Sequence, residues 1–130
     1  MLCPCKSSKE YKDCCELAHK DIRAVKTAGQ LMRSRYSAFT LANGDYLLKS
    51  WHSSARPSAR EKKDIERWAK SVIWTDLQII NKVKGEESDN NGIVEFKAFY
   101  IENSKLNVIH ERSNFVKEDG IWFYVDGKMN

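Results

Sequence analysis

The chain places four cysteines, Cys3, Cys5, Cys14 and Cys15, in its first fifteen residues and has none afterwards. The spacing is Cys3-x-Cys5-x8-Cys14-Cys15. Residues 1–20, which hold them, are polar and lack apolar periodicity, so side-chain burial alone cannot offset the cost of ordering them. Three chemistries compete to supply the missing energy. Disulfides need an oxidising compartment. The opening Met-Leu-Cys-Pro-Cys-Lys has no apolar core of a secretory leader, and a bridge between the neighbours Cys14 and Cys15 is strained. Buried free thiols need an apolar core that this polar stretch does not offer. Metal ligation meets the requirement best. Soft thiolates select Zn²⁺, and two clustered pairs suit a closed tetrahedral site, structural rather than catalytic. Zinc contributes about 10–16 kcal/mol of apparent binding energy to finger peptides. His19, four residues past Cys15, is an alternative fourth ligand.

Charge sits at the same end. The formal net charge is +4, and residues 1–35 carry all of it; the rest of the chain balances its acids and bases. Four thiolates holding one Zn²⁺ sum to −2, which lowers the formal +4 to about +2. Lys6, Lys9 and Lys12 surround the cysteines. They either offset the thiolates or form a face for a partner. A modest net charge, without aromatic–basic interleaving, weakens nucleic-acid binding as a reading relative to protein binding.

Beyond residue 20 the pattern becomes that of a folded body. Hydrophobic residues make up 42% of the chain, enough for a core. No run approaches the roughly 18 apolar residues of a membrane span, and a cytoplasmic location is expected. Apolar residues recur near a 3.6 period over 26–43, with Asn43-Gly44 as the stop and Asp45 as the cap of a short segment, Tyr46 to Trp51. Pro57-Ser58 opens a further helix, Ala59 to about Ser71. The signature then changes to β-branched and aromatic runs at 74–83, 93–101, 106–116 and 121–125, separated by Gly, Asn and Asp turns. Helices first and strands afterwards predict an α+β fold, an antiparallel four-stranded meander packed on helices. The expected division is a knuckle at 1–20 and a body at 21–130.

Cys3-Pro4-Cys5-Lys6-Ser7-Ser8-Lys9-Glu10-Tyr11-Lys12-Asp13-Cys14-Cys15 resembles the SEC-C motif, keeping its four ligands, Pro4, Ser7 and Tyr11. It departs at Lys6 and Ser8, where that motif usually has glycine to ease a left-handed turn. SEC-C knuckles also occur at the end of the bacterial preprotein translocase ATPase, where they contact a chaperone. The resemblance therefore implies a protein partner for the knuckle, and Lys6, Lys9 and Lys12 are expected to form part of that face. Leu31-Met32-Arg33-Ser34-Arg35-Tyr36-Ser37-Ala38-Phe39, Ser50-Trp51-His52, His110-Glu111-Arg112-Ser113-x-Phe115 and Trp122-x-Tyr124-Val125-Asp126-Gly127 are similar to the YchJ-like family of bacterial SEC-C proteins. Longer relatives carry a second SEC-C motif, and the residues read here contain one. This resemblance implies an NTF2-like, cystatin-like cone, a curved sheet folded around helices.

Such cones commonly hold a pocket between helices and sheet, and small-molecule sites are concave and mostly apolar. The polar candidates are Arg33, Arg35, Tyr36, His52, His110, Glu111, Arg112 and Asp126. His110 with Asp126 is a conceivable acid–base pair. The competing reading ties helix to sheet through ion pairs of Arg33 and Arg35 with Glu111 or Asp126. Strand alternation puts Leu106, Val108, His110, Arg112 and Asn114 on one face and Asn107, Ile109, Glu111, Ser113 and Phe115 on the other. It leaves open which face is concave. Trp51, Trp68, Trp74 and Trp122 are expected in the core. No phosphate loop, His-Glu-x-x-His or Gly-x-Ser-x-Gly appears, and with every cysteine on a metal no thiol nucleophile remains. No specific reaction is supported. A non-catalytic zinc-binding interaction module is the first reading; an enzyme or small-ligand binder using the cone, or a nucleic-acid binder, is the alternative.

Overall fold

Thr27 starts the first long helix of the body: its hydroxyl accepts the Gln30 amide at 3.1 Å, satisfying one of the amides a helix start leaves free. A computed structural model describes residues 1–129. Helix α1 spans Cys15–Lys20, α2 Ala28–Thr40, α3 Gly44–Lys49 and α4 Ala59–Ser71. Ser58 and Glu61 form a reciprocal capping box at the start of α4. The link between α2 and α3 differs from the sequence expectation. Ala42, at φ 53°, turns the chain, and Asn43 rather than Asp45 is the cap, its side chain accepting the Tyr46 amide at 3.1 Å. Asparagine captures an amide three residues on, so it serves better as the start of α3 than as the end of α2.

The strands are β1 Ile73–Lys84, β2 Asn91–Glu102, β3 Lys105–Glu118 and β4 Ile121–Met129, antiparallel in the order β1-β2-β3-β4. All run beyond their expected ends. The β2–β3 and β3–β4 turns place Asn103 and Ser104, then Asp119 and Gly120, at positive φ, the turn geometry that matches strand twist. Register shifts at Trp74/Asp76, Ile79/Asn81 and Asn114/Phe115 bend the strands. The segment after α3 extends the sheet: Tyr124 donates its amide to the Ser50 carbonyl at 2.8 Å, and His52 donates to the Tyr124 carbonyl at 2.7 Å.

The helices cover one face of this sheet. Leu31, Tyr36 and Leu47 meet Leu77, Val94, Phe96, Ala98, Phe115 and Trp122 in one core, which Ala18, Ile22 and Val25 join from the N-terminal side. Trp122 is fully buried, and its indole N–H donates to the Lys26 carbonyl at 3.0 Å, tying β4 to the approach to α2. The other three tryptophans depart from expectation. Trp51, Trp68 and Trp74 are half-buried and line a hollow between helices and sheet, with Trp74 still packed against the core. No helix among the described residues is long and apolar enough to cross a membrane.

Candidate metal centre and inner cavity

Backbone pairing builds the knuckle before any side chain acts. Leu2 and Glu10 form an antiparallel bridge, and Cys3 donates its amide to the Lys9 carbonyl at 2.8 Å. The loop between holds Lys6 at φ 68° and Ser8 at φ 70°. The left-handed turn is thus kept at both positions where the resembled motif has glycine, at the steric cost that a Cβ incurs there. A 3₁₀ turn at Tyr11–Asp13 then delivers Cys14 and Cys15 beneath the first pair. All four sulfurs lie within 4.8 Å of one another, and Cys3, Cys5 and Cys15 are buried. The four can hold a metal ion.

Contacts among the sulfurs spread their proton affinities apart. The Cys15 thiol foremost draws Cys5 down to about 4. The same contact, with burial, pushes Cys15 far up, and burial raises Cys14. A metal binding there would have to displace the protons of the raised thiols.

Three contacts fasten the knuckle to the body. Arg33 Nη1 donates to the Cys5 carbonyl at 2.7 Å. Cys3 Sγ lies 3.6 Å from Ser37 Oγ. His19 donates from Nε2 to the Ser34 carbonyl at 2.8 Å and accepts from the Tyr11 hydroxyl at Nδ1 at 2.6 Å. Burial holds the His19 pKa below its usual value, in keeping with a neutral ring. Both its nitrogens are engaged and it lies outside the sulfur cluster, so His19 is a strut to α2 and not the alternative ligand.

The hollow between helices and sheet has a volume of about 290 Å³. Of the eight polar candidates, Arg35, Tyr36 and Glu111 line it. Arg35 is 4% exposed. Its Nη1 donates to the Leu47 carbonyl at 2.9 Å and to Ser50 Oγ at 2.7 Å, and its guanidinium lies over the Trp51 and Tyr124 rings at 4.9 and 4.4 Å. Burial lowers the Arg35 pKa to about 10, which leaves it charged at neutral pH. No carboxylate among the described residues pairs with Arg35 or Arg33, so the expected helix-to-sheet ion pairs do not form.

The remaining candidates lie elsewhere. His110 and Arg112 are on the outer face of the sheet, where both pair with Glu95, His110 at 2.7 Å and Arg112 at 3.7 Å. Asp126 accepts from Asn114 on that same face at 2.7 Å. The His110–Asp126 pair is therefore not made, and neither residue reaches the hollow. His52 pairs with Glu118 at 2.9 Å. Lys6, Lys9 and Lys12 are exposed, and no acidic side chain among the described residues pairs with them. Sequence reasoning missed Phe39, Trp51, Trp68, Trp74 and Tyr124 as lining residues. Their aromatic character was visible, but core and cavity wall carry the same composition.

The chain matches the family described as YchJ, middle NTF2-like domain, over residues 27–127, and the SEC-C motif over residues 2–17. It is 42% identical over 127 residues to a UPF0225 protein of Vibrio parahaemolyticus, covering 96% of this chain and 73% of that one. It is 40% identical over 126 residues to the UPF0225 protein YchJ of Shigella dysenteriae, covering 97% and 82%. The solution structure of a SEC-C motif containing protein from Rhodopseudomonas palustris superposes with a TM-score of 0.82 at 29% identity, covering 98% of each chain. A crystal structure of a SEC-C motif containing protein from Psychrobacter arcticus gives 0.81 at 29% identity, covering all of this chain and 83% of that one. Fold and cysteine cluster together define an α+β protein with an NTF2-like domain and an N-terminal SEC-C motif. Within that class, the chain belongs to the UPF0225 family of YchJ-like proteins.

Proposed function

We propose that this chain is a non-catalytic zinc-binding interaction protein whose knuckle docks a protein partner. The gathering of four cysteine sulfurs carries the reading. Tetrahedral zinc with bonds of about 2.3 Å needs sulfurs about 3.8 Å apart. Cys5 and Cys14 are 3.6 Å apart, and all four sulfurs fall within 4.8 Å. Four protein ligands leave no open coordination position, so bound zinc would supply folding energy and no Lewis-acid chemistry. The knuckle meanwhile exposes Lys6, Lys9 and Lys12 together with Leu2 and Leu17, 65% and 53% exposed. Exposed leucines beside lysines suit an acidic, partly apolar protein surface better than a phosphate backbone. His110 on the outer sheet face removes the acid–base pair that favoured an enzyme.

The test begins with elemental analysis of protein purified without chelator, where one zinc per chain is expected. Affinity capture from lysate is then compared between the parent and the Lys6→Ala/Lys9→Ala/Lys12→Ala variant. Unchanged capture with zinc intact removes the lysines from the interface. Filter binding to nucleic acid across salt should show no strong log-salt slope; a steep slope would move the reading to phosphate contacts.

A further inference from the structure

The hollow inside the NTF2-like domain has no part in the proposed function of the knuckle, yet it is shaped and furnished as a site. We infer that it binds a small uncharged planar ring whose edge carries a hydrogen-bond acceptor beside a donor.

The walls set the ring. Tyr36 and Phe39 from α2, Trp68 from α4, Trp74 from β1, Phe96 from β2 and Tyr124 from β4 surround about 290 Å³. Trp68 and Trp74 meet edge-on with centroids 5.4 Å apart, and both line the hollow. A cavity of this size and lining takes a small aromatic molecule.

The polar groups set the edge. Arg35 uses Nη1 for both of its hydrogen bonds, and among the described residues Nε and Nη2 find no acceptor. The Tyr36 hydroxyl is buried and, among the described residues, has no partner. A buried donor such as this hydroxyl is costly when left unmade. Glu111 supplies the opposite character. Its Oε2 accepts from Ser113 at 2.8 Å, and Oε1 lies 3.5 Å from the Tyr124 hydroxyl. Gly127 makes room for that carboxylate: a Cβ there would overlap it.

Charge balance selects among guests. The cavity holds one guanidinium and one carboxylate that do not pair with each other. A carboxylate guest would satisfy Arg35 and oppose Glu111, and an ammonium guest would do the reverse. A neutral ring that turns a carbonyl to Arg35 and an N–H to Glu111 satisfies both. A purely structural role for Arg35 accounts for its Nη1 bonds and its stacking. It does not account for the free Nε and Nη2, the unpartnered Tyr36 hydroxyl or the hollow.

The probe is isoquinolin-1(2H)-one, a neutral fused ring with carbonyl beside N–H, compared with 2-naphthoate and 2-naphthylmethylammonium. Binding to the full, metal-loaded chain is followed by tryptophan fluorescence, since Trp51, Trp68 and Trp74 line the site, and by calorimetry. The lactam should bind at least about tenfold more tightly than either ion. Glu111→Gln should remove that advantage over naphthoate, because it removes the charge that opposes an anion. Arg35→Gln should favour the ammonium; because Arg35 also braces α3, the Glu111 variant carries the test if it does not fold. Naphthoate binding as tightly as the lactam, no lactam binding at millimolar concentration, or a ranking unmoved by Glu111→Gln in a folded protein would overturn the inference.

Discussion

Replacing Arg33 should loosen the metal site although its side chain is no ligand. Arg33 reaches from α2 to the Cys5 carbonyl at 2.7 Å, so the knuckle's first ligand pair is held to the body by a charged donor. A hydrogen bond to a charged group contributes about 1.5–3 kcal/mol, which corresponds to about 10- to 150-fold in an equilibrium constant. Loss of an outer-shell partner typically costs about 10–100-fold in metal affinity. Arg33→Met keeps the aliphatic stem that packs under the knuckle and removes only the donor. Competition between the protein and a zinc-buffering chelator at constant pH should show affinity reduced by about 10–100-fold. The cysteines should also react faster with a thiol reagent, because the knuckle opens locally before the body unfolds. Arg33→Lys should fall between, having the charge without the reach and planarity of the guanidinium. Zinc affinity within twofold of the parent in Arg33→Met, with unchanged thiol reactivity, would refute the reasoning.

Zinc affinity should rise with pH, because Cys14 and Cys15 are held protonated in the metal-free cluster and must release those protons on binding. The expected loss between pH 8 and pH 6 is at least about tenfold per unit; a flat profile by chelator competition counts against it. Lys6→Gly and Ser8→Gly should each stabilise the knuckle by about 1 kcal/mol, since both residues sit at positive φ; thermal unfolding of the double variant would show no gain if the turn were unstrained. Gly92→Ala should destabilise the fold strongly, because its Cβ would lie 2.5 Å from the Gly85 backbone at the neck of the β1–β2 hairpin, beside Ala28. A melting temperature equal to the parent's would show that the neck can open.

Local rules carried much of the fold. Helical periodicity located α2 and α4, and β-branched runs with Asn, Asp and Gly turns located all four strands. Strand ends lay further out because pairing with a neighbour, not local composition, decides where a strand stops; β4 continues to Met129 on the register of β3. The cysteine cluster was legible because its four thiols are close in sequence, so that a short loop and one 3₁₀ turn suffice to gather them. The cavity was not. Alternation along β3 sorted its side chains into two sets without saying which set faces the helices. Leu106 and Val108, 67% and 49% exposed, share the outer face with His110, so apolar content was no guide. Packing of α2 on the other face settled it, and with it the fate of the His110–Asp126 pair.

Arg33 and Arg35 show the same division within one helix. Two residues on an α-helix are about 200° apart around its axis, so the two arginines serve opposite faces. Sequence made both of them candidates. Only the tertiary structure assigned one to the knuckle and the other to the hollow, because what surrounds each face is chain that lies distant in sequence. By itself the sequence determined the cysteine cluster, the order of elements and the fold class, all consequences of neighbours along the chain. The docking of the knuckle, the inner face of the sheet and the polar lining of the cavity came from contacts across the fold, which no local pattern encodes.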